Sequence, residues 1–268
     1  MYIKGIDDGF CEVKRRGWLQ TPSKASTLGR RHCLEQDERT SQPRRYLEST
    51  QPNGIDTQTT TMSTPGTPAK IAVLAMSTRK PRVGSKIAAL VKETLEKEAD
   101  PAAHVIKLVE VADFNLPVYD EEVVPAQVPA QAQFKHEHTK RWSAEIASHD
   151  AYVLVIPEYN YSLAGGTKNA IDYLYSEWIG KPAAIVSYGI GGGNKASATA
   201  NDVLTGMKLR VAETRPAFAF AGGLGPDTFA AMAGELGDDS RKKFADETAE
   251  VVLKAFGELK TLLAAPVK

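Results

Sequence analysis

The chain has 268 residues, 42% hydrophobic and 25% charged, which is enough apolar material for a sizeable core in one or two domains. Lys+Arg and Asp+Glu are equal at 33 each, so there is no basic excess to draw nucleic acid and no acidic excess to draw a basic partner. No apolar run approaches the ~20 residues of a membrane-crossing helix. The two cysteines, Cys11 and Cys33, share no zinc-type spacing with each other or with histidine, so no metal site and no disulfide scaffold is expected.

Composition changes near residue 62. Residues 1–61 are rich in Arg, Ser, Thr and Gln and have no sustained apolar period, so they bury too little to offset chain entropy. Residues 1–67 are therefore read as a disordered extension, and 68–268 as the folded domain. A transit peptide is the competing reading, but such peptides are poor in acids, and this segment holds Asp7, Asp8, Glu12, Glu35, Asp37, Glu38, Glu48 and Asp56. Met62 is a further candidate start. The expected compartment is the cytoplasm, with the mitochondrion the lesser alternative.

From residue 68 the pattern alternates. Residues 70–77 form a short apolar run with β-branched residues, which predicts a buried strand. Val83, Ile87, Leu90, Val91 and Leu95 repeat at helical spacing. A second strand is predicted at 104–111, and 113–129, with its prolines, reads as a long surface loop. A helix follows at 134–149, carrying His136 and His138 on a solvated face. Residues 151–157 make a third strand, 167–175 open a helix, and 182–188 make a fourth strand ended by glycines. A helix at 196–210, a fifth strand at 215–221 and a closing helix at 239–264 complete the chain. Strands apolar on both faces, alternating with helices, imply a parallel sheet covered on both sides. Right-handed crossovers then favour a three-layer α/β sandwich with five strands in the order 2-1-3-4-5. Ligands of such sheets bind beyond the carboxyl ends of the strands, beside the switch point between strands 1 and 3.

Three loops reach that edge. The first, STRKPRVGS at 77–85, gathers hydroxyls, cations and a glycine at a helix N-terminus, where free N–H groups and the dipole favour an anion. It lacks the glycine spacing that brings a pyrophosphate close, so one terminal phosphate fits it better. Its charges would repel one another without an anion. The second loop, at 157–166, sets two tyrosines and two adjacent glycines where a flat ligand can approach backbone. The third, at 187–195, has four glycines in five positions, exposing backbone groups suited to a ring edge. Tyr173 and Tyr175 read as packing residues.

On STRKPRVGS, PEYNYSLAGGTKNAIDYLYSEWIGKP at 157–182 and SYGIGGG at 187–193, the chain resembles the NAD(P)H-dependent FMN reductase family, in particular fungal and bacterial members that reduce quinones or free flavins. The resemblance covers about 68–222. It implies a flavodoxin-like fold, bound FMN, NADPH or NADH as co-substrate, and hydride transfer to a quinone, free flavin or similar small-molecule acceptor. It also implies a homodimer. The alternative is an FMN-binding electron carrier or redox-regulated module without efficient NAD(P)H turnover. The resemblance assigns the FMN phosphate to Ser77, Arg79, Gly84 and Ser85. It assigns the isoalloxazine to Pro157, Glu158, Tyr159 and Asn160, and the pyrimidine edge to Ser187, Tyr188, Gly189 and Gly192. No catalytic acid or base is expected, because hydride chemistry belongs to the flavin. Three positions depart from the family pattern. Met76 stands where glycine is usual and is expected to crowd the phosphate loop; Ala164 replaces proline and Thr167 replaces leucine.

Overall fold

The computed structural model describes residues 66–266. The expected extension lies, but for its last two residues, outside the described residues, and so do Cys11, Cys33 and Met62. The first strand, β1 (Ala69–Ala75), leads to helix α1 (Gly84–Glu96) and strand β2 (His104–Glu110). Two 3₁₀ turns, Val111–Phe114 and Pro125–Gln127, precede α2 (Glu137–Ala147). Then come β3 (Ala151–Tyr159), β4 (Ser162–Leu163), α3 (Gly165–Asp172), β5 (Pro182–Gly189) and α4 (Asn194–Gly206). The chain closes with β6 (Arg210–Val211), β7 (Ala217–Ala219), α5 (Pro226–Met232), α6 (Asp238–Lys243), a π turn at Phe244–Thr248 and α7 (Ala249–Ala264).

The parallel sheet runs β2-β1-β3-β5-β6, with β7 also on β5 and the short β4 antiparallel to β3. This is the expected order, with the fifth position split. The strand expected at 215–221 is only Ala217–Ala219 beside the upper half of β5, while Arg210–Val211 pairs with its first residues. Pro216 has no N–H to give the ladder; its carbonyl accepts from Ser187 N at 3.0 Å instead. The helix expected to run to 210 ends at Gly206, which frees the chain to make β6.

Alternate residues of a strand face opposite sides, and β1 shows what that does. Ile71, Val73 and Ala75 pack with Ile87, Val91 and Leu95 of α1 and Val252, Phe256 and Leu259 of α7. Ala72 and Leu74 face the other way, toward Trp142 and Ile146 of α2, Ile171 of α3 and Leu204 of α4. Two cores on one sheet make the three layers.

The 113–129 segment is less of a surface loop than its composition suggests. Glu121 is 9% exposed, and its carboxylate accepts from Lys135 N (2.8 Å) and His136 N (2.9 Å) just ahead of α2. Those hydrogen bonds hold its carboxyl below the usual range against an opposing burial effect. Asn169 donates to Pro117 O (2.6 Å) and accepts from Tyr119 N (3.0 Å), and the Tyr173 hydroxyl donates to Asp120 (2.8 Å). His138 Nε2 lies 3.1 Å from the same carboxylate, so it is paired rather than simply solvated. The outer side of α3 thus grips this segment while its N-terminus turns toward the carboxyl edge of the sheet.

Candidate active site

The site is built on the loops that leave β1, β3 and β5. After β1 the backbone continues straight: Met76 N donates to Val155 O at 3.0 Å. The Met76 side chain is fully buried in the core on the α2 side, so it does not crowd the phosphate loop as expected from sequence. Thr167, also fully buried, donates its hydroxyl to Met76 O at 3.1 Å. A leucine at 167 has no hydroxyl for that carbonyl; because the acceptor is main chain, the bond does not depend on which side chain stands at 76. The third departure is conformationally neutral. Ala164 has φ −61°, the value a proline ring imposes.

The loop then packs tightly. A Cβ at Gly166 would run into Thr78 Oγ1, so only glycine lets α3 begin this close to the loop. A Cβ at Gly84 would lie 2.6 Å from Tyr188 Oη and 2.9 Å from Ser77 Cβ. Ser77, Gly84 and Tyr188 are thus in one contact cluster drawn from three elements. Helix α1 opens with no side-chain cap, so its leading N–H groups remain for another acceptor. Burial pushes the Tyr188 phenol far above its usual range, with a hydrogen bond to Ser77 pulling the other way. It stays a neutral hydrogen-bonding group.

Beyond β3 the chain makes a two-residue hairpin, with Tyr159 opposite Ser162. Asn160 and Tyr161 have φ of 49° and 62°, as a type I′ turn demands. Asparagine accepts this; tyrosine does so against a preference of roughly 1–2 kcal/mol. Glu158 turns toward α4, accepting from Lys195 N (2.8 Å) and Ala196 N (3.2 Å). Gly193, at the N-cap of that helix, has no capping side chain, so Glu158 supplies the cap from a neighbouring strand. The third loop closes on itself: the Ser187 hydroxyl donates to Gly192 O at 2.7 Å, fully buried.

These loops enclose a cavity of about 460 Å³, within the usual range for small-molecule sites. Eight of the residues expected from sequence line it: Ser77, Arg79, Pro157, Glu158, Tyr159, Asn160, Tyr188 and Gly189. Gly84, Ser85, Ser187 and Gly192 are not in the lining. Gly84 sits behind Ser77 and Tyr188, Ser85 is the second residue of α1, and Ser187 and Gly192 bond to each other behind Tyr188.

The remaining wall has no counterpart in the sequence reading. Phe220, after β7, and Thr228, Ala231 and Met232 of α5 complete the cavity, with Val83 and Ile190. The Gly225-Pro226-Asp227 run, with proline at the first helical position, is the signal that marks this helix. Arg79 faces this wall: Nη1 donates to Met232 O (2.7 Å) and Nη2 to Ala231 O (3.0 Å). Two further cations are matched, Arg82 with Glu110 at 3.1 Å and Lys86 with Glu235. The expected repulsion within the loop is therefore reduced, with β2 and the segment after α5 supplying counter-charge to Arg82 and Lys86.

The arrangement suits a flat ligand carrying one phosphate. The cavity lining brings Ser77, Arg79 and Val83, the residue ahead of uncapped α1, together with 157–160, Tyr188 and Gly189. Among the described residues no cluster of His, Cys, Asp or Glu could hold a metal ion, and no helix is long and apolar enough to cross a membrane.

The family model for NADPH-dependent FMN reductase matches residues 69–223. An NAD(P)H-dependent FMN reductase of a Nectria species is 51% identical over 201 residues, covering 74% of this chain and 98% of that protein. A quinone reductase of Pseudomonas putida is 33% identical over 179 residues, covering 64% of this chain and 83% of that one. The solved structure of RosB with its bound intermediate 8-demethyl-8-formylriboflavin-5'-phosphate superposes with a TM-score of 0.51 at 13% identity, over 73% of this chain and 79% of that one, a likeness of fold alone. With one family matching more than half its length, and a relative covered almost end to end at this identity, the chain belongs to the NADPH-dependent FMN reductase family.

Proposed function

We infer that the protein is an FMN-dependent NAD(P)H oxidoreductase that delivers the electrons to a quinone, free flavin or similar small acceptor. The observation that carries this is the single cavity uniting Arg79 and Ser77 with the 157–160 and 188–189 backbone at the carboxyl edge of the sheet. Bound FMN supplies the centre that accepts hydride from NAD(P)H and passes reducing equivalents on. The chain's own residues bind and orient. Ser77, Arg79 and the start of α1, including Gly84 and Ser85, hold the phosphate. Pro157, Glu158, Tyr159 and Asn160 offer backbone to the ring system. Tyr188 and Gly189 border its pyrimidine edge, with Ser187 and Gly192 keeping that loop closed from behind. The buried Tyr188 phenol stays protonated and donates or accepts a hydrogen bond without moving a proton. No side chain is needed as general acid or base.

Residues 68–268 form the FMN-binding domain in this reading. A homodimer is the assembly the family resemblance implies, and exposed Tyr159, Tyr161, Ile190 and Phe229 give this face the apolar character such contacts use. Cytoplasmic residence belongs to the same reading. Anaerobic mixing of purified holoprotein with NADPH or NADH tests the activity: the flavin absorbance is expected to bleach within the mixing experiment. A yellow protein that neither nucleotide reduces is the outcome that rejects the enzyme in favour of a flavin-binding carrier.

A further inference from the structure

Helix α5 is short and thinly packed. Only Thr228 and Ala231 of its seven residues are buried, while Leu224 before it and Phe229 and Met232 on it stand exposed. Its base is pinned to α6: Asp227 accepts from Ser240 N at 2.5 Å. Its far end meets the 79–82 loop and the first turn of α1, at three places. Arg79 takes the carbonyls of Ala231 and Met232, which the last turn of a helix leaves short of partners. Gly234, at φ +87°, lies so close that a Cβ would meet Pro81 Cβ at 2.9 Å and Arg82 N at 3.1 Å. Glu235 pairs with Lys86 on α1.

Arginine has five N–H donors in a rigid fork. The two carbonyls account for two of them, and three remain for the cavity that Arg79 lines. We propose that residues 225–235 are a positioning strap, in which the Ala231 and Met232 carbonyls hold Arg79, and Gly234 and Glu235 hold residues 81–86, in the phosphate-accepting arrangement, so that strap docking and phosphate binding reinforce each other. This rests on reading the loop as the FMN phosphate site. A phosphate orders the guanidinium from the cavity side, and an ordered guanidinium holds the α5 carbonyls from the other. Coupling of this kind is reciprocal: what fixes the strap raises affinity for the phosphate, and the phosphate fixes the strap by the same factor.

Amide hydrogen exchange of the full chain, alone and with FMN or riboflavin, tests it. FMN is expected to slow exchange across 226–235 by at least about fivefold, the low end of ordinary coupling factors. Riboflavin, which fills the same cavity beside Thr228, Ala231 and Met232 but carries no phosphate, is expected to slow that segment clearly less than FMN does. Arg79→Lys keeps the charge but loses the fork, and is expected to abolish the FMN-dependent protection. Gly234→Val is expected to lower FMN affinity, read by flavin fluorescence, by at least about fivefold while riboflavin affinity changes little. That selectivity is a readout general loosening of the fold does not produce. If FMN binds and 226–235 exchanges equally with and without it, or if Arg79→Lys keeps the protection, the strap is overturned and the cofactor assignment stands. A protein that binds neither flavin rejects the cofactor assignment itself, and the strap with it.

Discussion

At the carboxyl edge of the sheet, polar groups point into a cavity; at the amino edge, they point at each other. Lys181, just ahead of β5, donates to Ile146 O (3.1 Å), Ala147 O (3.2 Å) and Tyr152 Oη (2.9 Å). Tyr152 in turn donates to Ile146 O at 2.7 Å. Arg210 bridges Gly180 O (2.8 Å) to Leu262 O (2.6 Å) and Ala265 O (3.0 Å) at the end of α7. Cations there finish helix ends, which is a structural task completed within the chain. At the other edge α1 starts without a side-chain cap, and Arg79, which lines the cavity, gives two of its donors to α5. Substitutions at the amino edge should therefore change stability and leave flavin affinity alone, whereas those at the carboxyl edge should change flavin affinity first.

Gly84→Ala gives the sharpest test. In an ordinary helix this exchange stabilises by roughly 1 kcal/mol. Here the added Cβ would meet buried Tyr188 Oη at 2.6 Å, so the sign reverses. Overpacking of this kind costs about 1–3 kcal/mol, and FMN affinity is expected to fall by about tenfold to a hundredfold, measured by fluorescence titration. Unchanged affinity would show that the Ser77–Gly84–Tyr188 contact does not shape the site.

Lys181→Met is the counterpart at the amino edge. Burial lowers the Lys181 amine to about 8, with Asp150 and Glu177 opposing it. The unfolded chain, with its higher lysine pKa, binds more protons between that value and the ordinary 10.5, so this group makes stability rise with pH in that interval. Tyr152 acts in the opposite sense above pH 10, because burial raises its phenol. Between about pH 8 and 10, wild type is expected to gain on the order of 2 kcal/mol relative to Lys181→Met in urea unfolding. Equal slopes for the two proteins would remove Lys181 as the source, and altered FMN affinity would blur the contrast between the edges.

Glu158→Ala removes the cap from α4 and is expected to cost about 1 kcal/mol of stability together with a several-fold loss of FMN affinity. Glu158→Gln keeps an acceptor for Lys195 N and Ala196 N and should recover most of both. Equally poor behaviour of the two variants in thermal melts and flavin titration would point to a need for the charge itself. The smallest effect is expected at Tyr161→Gly. Relieving φ 62° at a side chain that is 82% exposed should stabilise the fold by roughly 1 kcal/mol, with flavin affinity within about twofold.

Sequence reading reached the parts of this molecule whose causes are local. β1, β3 and β5 were legible because each is apolar on both faces, β2 because its β-branched residues stand in a short run, and the loops because hydroxyls and glycines cluster where strands end. The α5 wall was not, since two buried residues set no period and the arginine that holds it lies about 150 residues earlier. Glu158 read as a ring-side residue because the backbone it caps is 37 positions away. Thr167 read as an irregularity, although its hydroxyl answers the main-chain carbonyl of Met76, 91 residues earlier. The fifth strand was placed but not seen to be split, since its interruption depends on how Pro216 meets β5.

That split governs how the sheet meets other sheets. A strand long enough to template another chain offers some five or six residues of continuous ladder. On the β5 side the outermost pieces are Arg210–Val211 and Ala217–Ala219, with a proline between them. On the opposite side β2 runs seven residues in unbroken register with β1. Edge-to-edge aggregation of this fold is thereby blunted on one flank by the chain's own interruption, and a solubility-enhancing charge belongs on β2.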